Sequence, residues 1–307
     1  MTLQATAPGR ATTRPGRPGR GRRYRRLLPL VPAIVLLLIF FTGPMIWAFY
    51  TATTNSALTG VEAVHPQSVG LDNFKNALAD SDVHDAVGRT LVFVIACVIG
   101  QNGLGLGLAF LMQHRRRSIR ALVSAIVVGA WVIPEIVAAF IWYSYLQPDG
   151  GTLNQIINLL GLPGQSWLVT SPLVSVILAN VWRGSAFSML IYSAGLQDVP
   201  ADLIDAASVD GASATQRTWH VVLPTMRRTI AANLVLTTLA TLGVFGLIWA
   251  MTAGGPANHS TTLPVLMYTE AFSFGQLGYG SAISIIILAI GALFSIAYLF
   301  FLRGDRR

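Results

Sequence analysis

Glu135 and Arg183 are the residues of this chain that most need a chemical reason. Each stands about eleven residues inside a long apolar run. At 1.5 Å per helical residue that is a depth of about 16 Å, near the middle of a bilayer. An ionised side chain facing lipid there is costly, so such residues pair with one another or line a watery path. Both options stay open: a structural ion pair, or contact with a passing solute or proton. Helical spacing adds candidates. Asn180, Arg183, Gly184 and Phe187 share one face at i, i+3, i+4 and i+7, and Thr237 and Thr241 share a face of the next apolar run. The same residues could serve only as packing between helices. Gln101 and Asn102, also at mid-depth, read as interhelical glue.

Other chemistries are excluded by what is missing. The sole lysine, Lys75, follows Phe74 in a polar stretch, so no Gly-Lys-Ser/Thr loop exists to cradle nucleotide phosphates. His65, His84, His114, His220 and His259 fall mainly at loops or span ends, without metal-ligand spacing. Cys97 is the single cysteine and sits inside an apolar run, which rules out an intrachain disulfide and suits a buried structural thiol. No resident cofactor or metal is expected, and no catalytic residue.

The elements that position these residues are membrane spans. The chain is 53% hydrophobic and 11% charged with mean hydropathy +0.59, whereas a soluble domain carries about 25% charged residues. Apolar runs at 27–50, 86–112, 121–146, 172–195, 228–251 and 279–302 give an all-α protein of six transmembrane helices. The first run ends in Pro44, Trp47 and Tyr50 without a small-residue cleavage site, so it reads as a retained span. A half-length segment, 263–274, is expected at the outer interface. Gly103 and Gly107, four apart, suggest a close-packing face on the second span.

The net charge of +8 is placed, not spread. Arginines cluster before the first span (Arg10 to Arg26), after the second (Arg115, Arg116, Arg117, Arg120), after the fourth (Arg217, Arg227, Arg228) and at the end (Arg303, Arg306, Arg307). The positive-inside rule then puts both termini in the cytoplasm. Arginines that flank spans instead of forming one face do not suit a nucleic-acid partner. Residues 1–26, rich in Arg, Gly, Pro and Thr, read as a disordered basic cytoplasmic tail, and 303–307 as a short cytoplasmic tail.

One polar interval stands apart, Pro200 to Pro224, PADLIDAASVDGASATQRTWHVVLP. Pro200 suits a helix start, Asp202 the positive end of its dipole, and Gly211 the positive-φ residue after its last turn. Ser213 and Gln216 form a capping-box pattern opening a second short helix, expected to end before Pro224. Leu203 gives the first helix an apolar ridge, and Ala206 and Ala207 a flat side that a protein cleft could accept.

This interval resembles the EAA loop of ABC importer permeases: Asp205, Ala206, Ala207, Asp210, Gly211, Ala212, Leu223 and Pro224 occupy its pattern at the family spacing. Asp205 replaces the family's leading Glu, one methylene shorter. Looser motifs resemble the sugar-type members: GLDNF within Ser68–Phe74, the run Ile133 to Leu146, and a T-x-GGP turn within Thr252 to Pro256. The resemblance covers about 27–302 and implies the type I importer permease fold. It implies that the loop docks as a coupling helix into a separate ATPase, which alone would use ATP and magnesium. The implied partners are a second permease, two ATPase copies and an external sugar-binding protein, in the cell membrane. The implied cargo is a carbohydrate, a di- or oligosaccharide, moved inward by alternating access. In maltose-type members the span before the loop contacts sugar, and Asn180 and Gly184 match those residue types, while Arg183, Phe187, Thr237 and Thr241 do not match by identity. Such a set offers hydroxyl-pairing groups and a ring for stacking. An ion-coupled carrier relaying through Glu135 and Arg183 is the alternative; the loop pattern and the lack of a visible inverted repeat disfavour it.

Overall fold

The computed structural model describes residues 28–113 and 115–303. The expected tail 1–26 and, of the expected tail 303–307, residues 304–307 lie outside the described residues, while Arg303 ends a helix instead of opening a tail. Among the described residues all regular structure is helical, apart from one bridge between Thr54 and Ser68.

Two compact units divide at Trp47 and Ala48. The first holds most of α1 (Val31–Ala52). Its run from Leu36 to Phe41 is more than half exposed at every residue, the surface that acyl chains would cover. A π-turn at Leu38–Thr42 precedes Pro44. The widened turn lets the helix pass a proline that lacks an N–H and would crowd an earlier carbonyl.

The second unit contains α2 (Ser81–Gln113), α3 (Arg117–Val132), α4 (Glu135–Tyr145), α5 (Pro172–Gln197), α6 (Ala201–Val209), α7 (Arg227–Leu242), α8 (Gly246–Thr252), α9 (Leu263–Tyr268) and α10 (Leu277–Arg303). Helices α1, α2, α5 and α10 are each long and apolar enough to cross a membrane. The pairs α3–α4 and α7–α8 supply two more crossings if each is counted as one bent span. The expected third and fifth spans are therefore not continuous helices: they bend by 103° and 46°. At the first break Ile133 and Pro134 are both extended, since a proline drives the preceding residue out of the helical region.

Helices α2 and α5 pack side by side, with Phe93, Val94, Cys97, Val176 and Ala179 in one core with Leu247 and Ile248 of α8. Glycine sets the approach, though not at the expected positions. Gly103 and Gly107 have open space where a Cβ would go. Gly100 and Gly105 are the close ones: a Cβ on Gly105 would meet Ser188 and stand 2.7 Å from the Met189 nitrogen. A GxxxG pattern names a face by spacing, and here the packed face lies beside it.

Segment 263–274 is anchored in the protein: α9 is buried at Leu263, Val265 and Leu266, the first and last in a cluster with Ala77, Val83, Ala86 and Ile283, while Phe272 and Phe274 are exposed. The Leu263 N–H donates to Thr90 Oγ1 at 2.8 Å, so the start of α9 is tied to α2. In the GLDNF segment, Asn73 donates to the Ala52 and Thr54 carbonyls at 2.9 and 2.8 Å and pins the loop after α1. Asn154 does the same for the loop before α5, bonding Gln147, Pro148, Gln165 and the Trp167 indole.

Two outcomes are expected. An oversized side chain in a packed core costs about 1–3 kcal/mol. Gly105→Leu should therefore lower the melting temperature of the solubilised protein by about 2–12 °C, at about 2–4 °C per kcal/mol, while Gly103→Leu leaves it unchanged. Between α9 and α10, burial first, then Asp80 and Asp82, hold Glu270 above the usual carboxylate range. The fold thus favours its protonated form, so stability is highest below the ordinary value and falls as pH rises through the raised one. Glu270→Gln should flatten that fall in a pH series of melting temperatures.

Candidate functional site

The Pro200–Pro224 interval folds as its local signals dictate. Gly211 takes φ +81°, its N–H bonds the Ser208 carbonyl, and the Ala212 N–H bonds the Ala207 carbonyl at 3.0 Å. These are the paired bonds of a Schellman end. Ser213 and Gln216 close a reciprocal capping box, at 2.8 and 3.3 Å. Arg217 bonds Ser208 and so ties the two short helices together. The second helix does not stop before Pro224. It opens a π-turn at Thr218–Val222 and carries the proline within Leu223–Thr225, the same accommodation seen at Pro44.

The loop is held at its base and open at its tip. Val199, Val222 and Met226 join Ala109, Tyr192 and Leu196 in a buried cluster, with Ile204 of α6 packed on it. Gly195 keeps α5 against α7, since a Cβ there would lie 2.8 Å from Thr229. Outward, Asp202, Asp205, Ala206 and Asp210 are exposed, and Ala207 and Ala212 half-buried. No described residue bonds the three carboxylates. The flat side is thus Ala206 alone, and the apolar ridge is Leu203 with Val209, which is 88% exposed. Val209 escaped the sequence reading because a valine at a helix end is usually packing.

At mid-depth Glu135 and Arg183 do not form an ion pair. Each binds backbone at a helix break. Arg183 Nε donates to the Ile133 carbonyl at 3.4 Å, at the negative end of α3. Glu135 Oε1 accepts the Leu247 N–H at 2.9 Å, at the positive end of α8, and Glu135 itself opens α4. Both charges thus meet the half-helix dipole of opposite sign.

The expected single face of α5 divides in two. Asn180 and Gly184 turn to α2: Gln101 lies against Gly184 and donates to the Asn180 carbonyl at 3.2 Å, and the buried Asn180 amide nitrogen has no partner among the described residues. Arg183 and Phe187 turn to the α3–α4 break, where Phe187 lies 5.8 Å from the Trp131 ring. Thr237 belongs to a buried polar cluster: its hydroxyl donates to the Asn233 carbonyl and accepts from Asn102, while the Asn102 amide oxygen also takes bonds from Asn233 and Tyr192. Thr241 is buried as well. The glue role expected of Gln101 and Asn102 is what they do. Asn233 and Tyr192 were not singled out, although Asn233 stands one turn from Thr237. Trp131 was missed because tryptophan is ordinary in a span.

If the caps carry these charges, the amide of Glu135→Gln keeps an acceptor for Leu247 and should leave the melting temperature near wild type. Glu135→Leu strands the N–H of buried Leu247 and should lower stability by about 1–3 kcal/mol. The swap Glu135→Arg with Arg183→Glu puts each charge at the wrong helix end and should be worse than either single change; recovery of stability would indicate an ion pair.

Residues 101–306 match the family model described as "Binding-protein-dependent transport system inner membrane component". The trehalose/maltose transport system permease protein MalF of Thermococcus litoralis is 33% identical over 233 residues, covering 75% of this chain and 78% of that protein. The multiple sugar-binding transport system permease protein MsmF of Streptococcus mutans is 31% identical over 278 residues, covering 86% and 90%. A chain of a bacterial ABC transporter involved in import of the acidic polysaccharide alginate superposes with a TM-score of 0.79 at 21% identity, over 94% of this chain and 98% of that one, which is a likeness of fold. With its broken spans, capped loop and matched length, this chain belongs to the binding-protein-dependent transport system inner membrane components, the membrane permeases of ABC importers.

Proposed function

We propose that this chain moves a carbohydrate into the cytoplasm as one of two permease subunits, driven by ATP hydrolysed on separate subunits that grip α6. The observation that carries the reading is the loop itself. A helix with exposed Asp202, Asp205, Ala206, Val209 and Asp210 stands on a buried base; a Schellman turn fixes its C-terminal end and a capping box fixes the start of the short helix that follows. Asp205, Ala206, Ala207, Asp210, Gly211 and Ala212 form the docking element. ATP and magnesium belong to the partner, of which two copies are needed. A binding protein outside the cell delivers the solute, and both termini of this chain face the cytoplasm, on the arginine-rich side.

On this reading the substrate path runs along the α3–α4 break. There Arg183 and Glu135 stand beside the Trp131–Phe187 rings, giving hydroxyl-pairing groups and a stacking surface. Asn180, Gly184, Thr237 and Thr241 are packing residues on this reading. Sugar-transport relatives support the cargo class, a di- or oligosaccharide. The ion-coupled carrier is not favoured, because Glu135 and Arg183 are engaged as helix caps and the chain sits in an ABC family.

Gly211→Val forces a β-branched residue into positive φ, at about 1–3 kcal/mol, and Asp210→Arg reverses charge at the turn. Both should reduce ATP-dependent uptake in cells to background while membrane abundance stays normal. Gly211→Asn, which tolerates that conformation, should keep a substantial part of it. Normal uptake by the Val and Arg variants would end the docking role.

A further inference from the structure

A hollow of about 480 Å³ opens where the end of α2, the start of α3 and the end of α5 meet. Its walls are of two kinds. Met112, Met189, Leu190 and Leu196 give an apolar side, and Arg117 and Arg120, one turn apart, give a cationic rim with Ser124 and Gln113 beside it. Neither guanidinium has a hydrogen bond or ion pair among the described residues. Two unneutralised cations above an apolar slot suit an amphiphile whose anionic head meets the rim and whose tail lies along the slot. A small soluble anion would leave the apolar wall uncovered. The hollow lies at the arginine-rich end of the spans, where an anionic leaflet supplies such a molecule.

We propose that the hollow is a binding site for one anionic phospholipid, its phosphate held by Arg117 and Arg120. Leu196 and Ala109 line the hollow and also belong to the buried cluster beneath α6. A bound lipid therefore supports the core on which the loop stands.

The test uses the full chain purified in a nonionic detergent, titrated with phosphatidylglycerol, phosphatidylcholine or inorganic phosphate, with bound molecules counted by native mass spectrometry. Phosphatidylglycerol should be retained over phosphatidylcholine by on the order of tenfold or more, from two arginines near the headgroup. Arg117→Gln with Arg120→Gln should abolish the preference. Arg115→Gln with Arg116→Gln removes the same charge from the same turn outside the hollow and should preserve it. Ser193→Phe fills the slot without changing charge and should also weaken retention. Equal loss in both arginine pairs would reduce the site to diffuse attraction and overturn the proposal, as would no lipid preference in the wild type. Saturation by inorganic phosphate that displaces the lipid would overturn the lipid assignment. The measurement needs no transport, so its failure is separable from failure of the coupling reading.

Discussion

A bilayer core offers no water to an unpaired N–H or carbonyl, and each such group costs several kcal/mol there. A membrane helix can therefore be interrupted only where something else takes up the freed backbone bonds. This chain interrupts two, and the side chains that do so are the ones that looked hardest to place. Arg183 stands at the closing carbonyl of α3 and Glu135 at the opening amide of α8. An ion pair would have neutralised the two charges and left both breaks bare. As caps each meets a half-helix dipole of opposite sign, which offsets part of the cost of holding a charge in an apolar span.

The polar cluster of Asn102, Ser188, Tyr192, Asn233 and Thr237 works on the same constraint one layer further in. In lipid, apolar contact alone does not select one helix partner over another, so small residues and side-chain hydrogen bonds do the selecting. Here Gly105 brings α2 onto α5, and the cluster then locks α7 to both. What remains uncovered at the α3–α4 break is a half-open, mixed surface of aromatic rings and charge.

Much of this was legible in the sequence because it is set within a few residues. Gly211 after an Ala-rich helix and Ser213 before Gln216 are local rules, and the loop obeys both. Span number followed from hydropathy. The prolines show where local reading stops. Pro44, Pro134 and Pro224 all stand in or near apolar helical sequence, yet two are absorbed by π-turns and the third breaks its helix by 103°. The difference lies in what sits opposite: Arg183 takes the Ile133 carbonyl beside Pro134, and the start of α8 gives its own free N–H to the Glu135 carboxylate that follows the break. That depends on residues about fifty and about a hundred and ten positions away, beyond any local window. The face of α5 divided for a similar reason. Helical spacing groups Asn180 with Arg183, but only tertiary packing reveals that Gln101 fills the space over Gly184.

On the coupling reading, the same architecture decides where a force on α6 goes. The loop rests on a dry cluster built from the end of α5 and the approach to α7, with Gly195 drawing those two helices into contact. Such packing is not continuously deformable, so displacement of α6 moves α5 and α7 together instead of being absorbed in the loop. Both helices run directly to the mid-depth breaks: α5 carries Arg183 against Ile133, and α7 ends where α8 begins on Glu135. The caps are single hydrogen bonds to backbone, one of them already long at 3.4 Å, whereas the clusters around them are broad and apolar. A shift of α5 along α3 would stretch the cap contacts before it separated the cores. The breaks are then the points where the bundle yields, and on the proposed function the first of them, where the Trp131 and Phe187 rings meet, is where the solute passes.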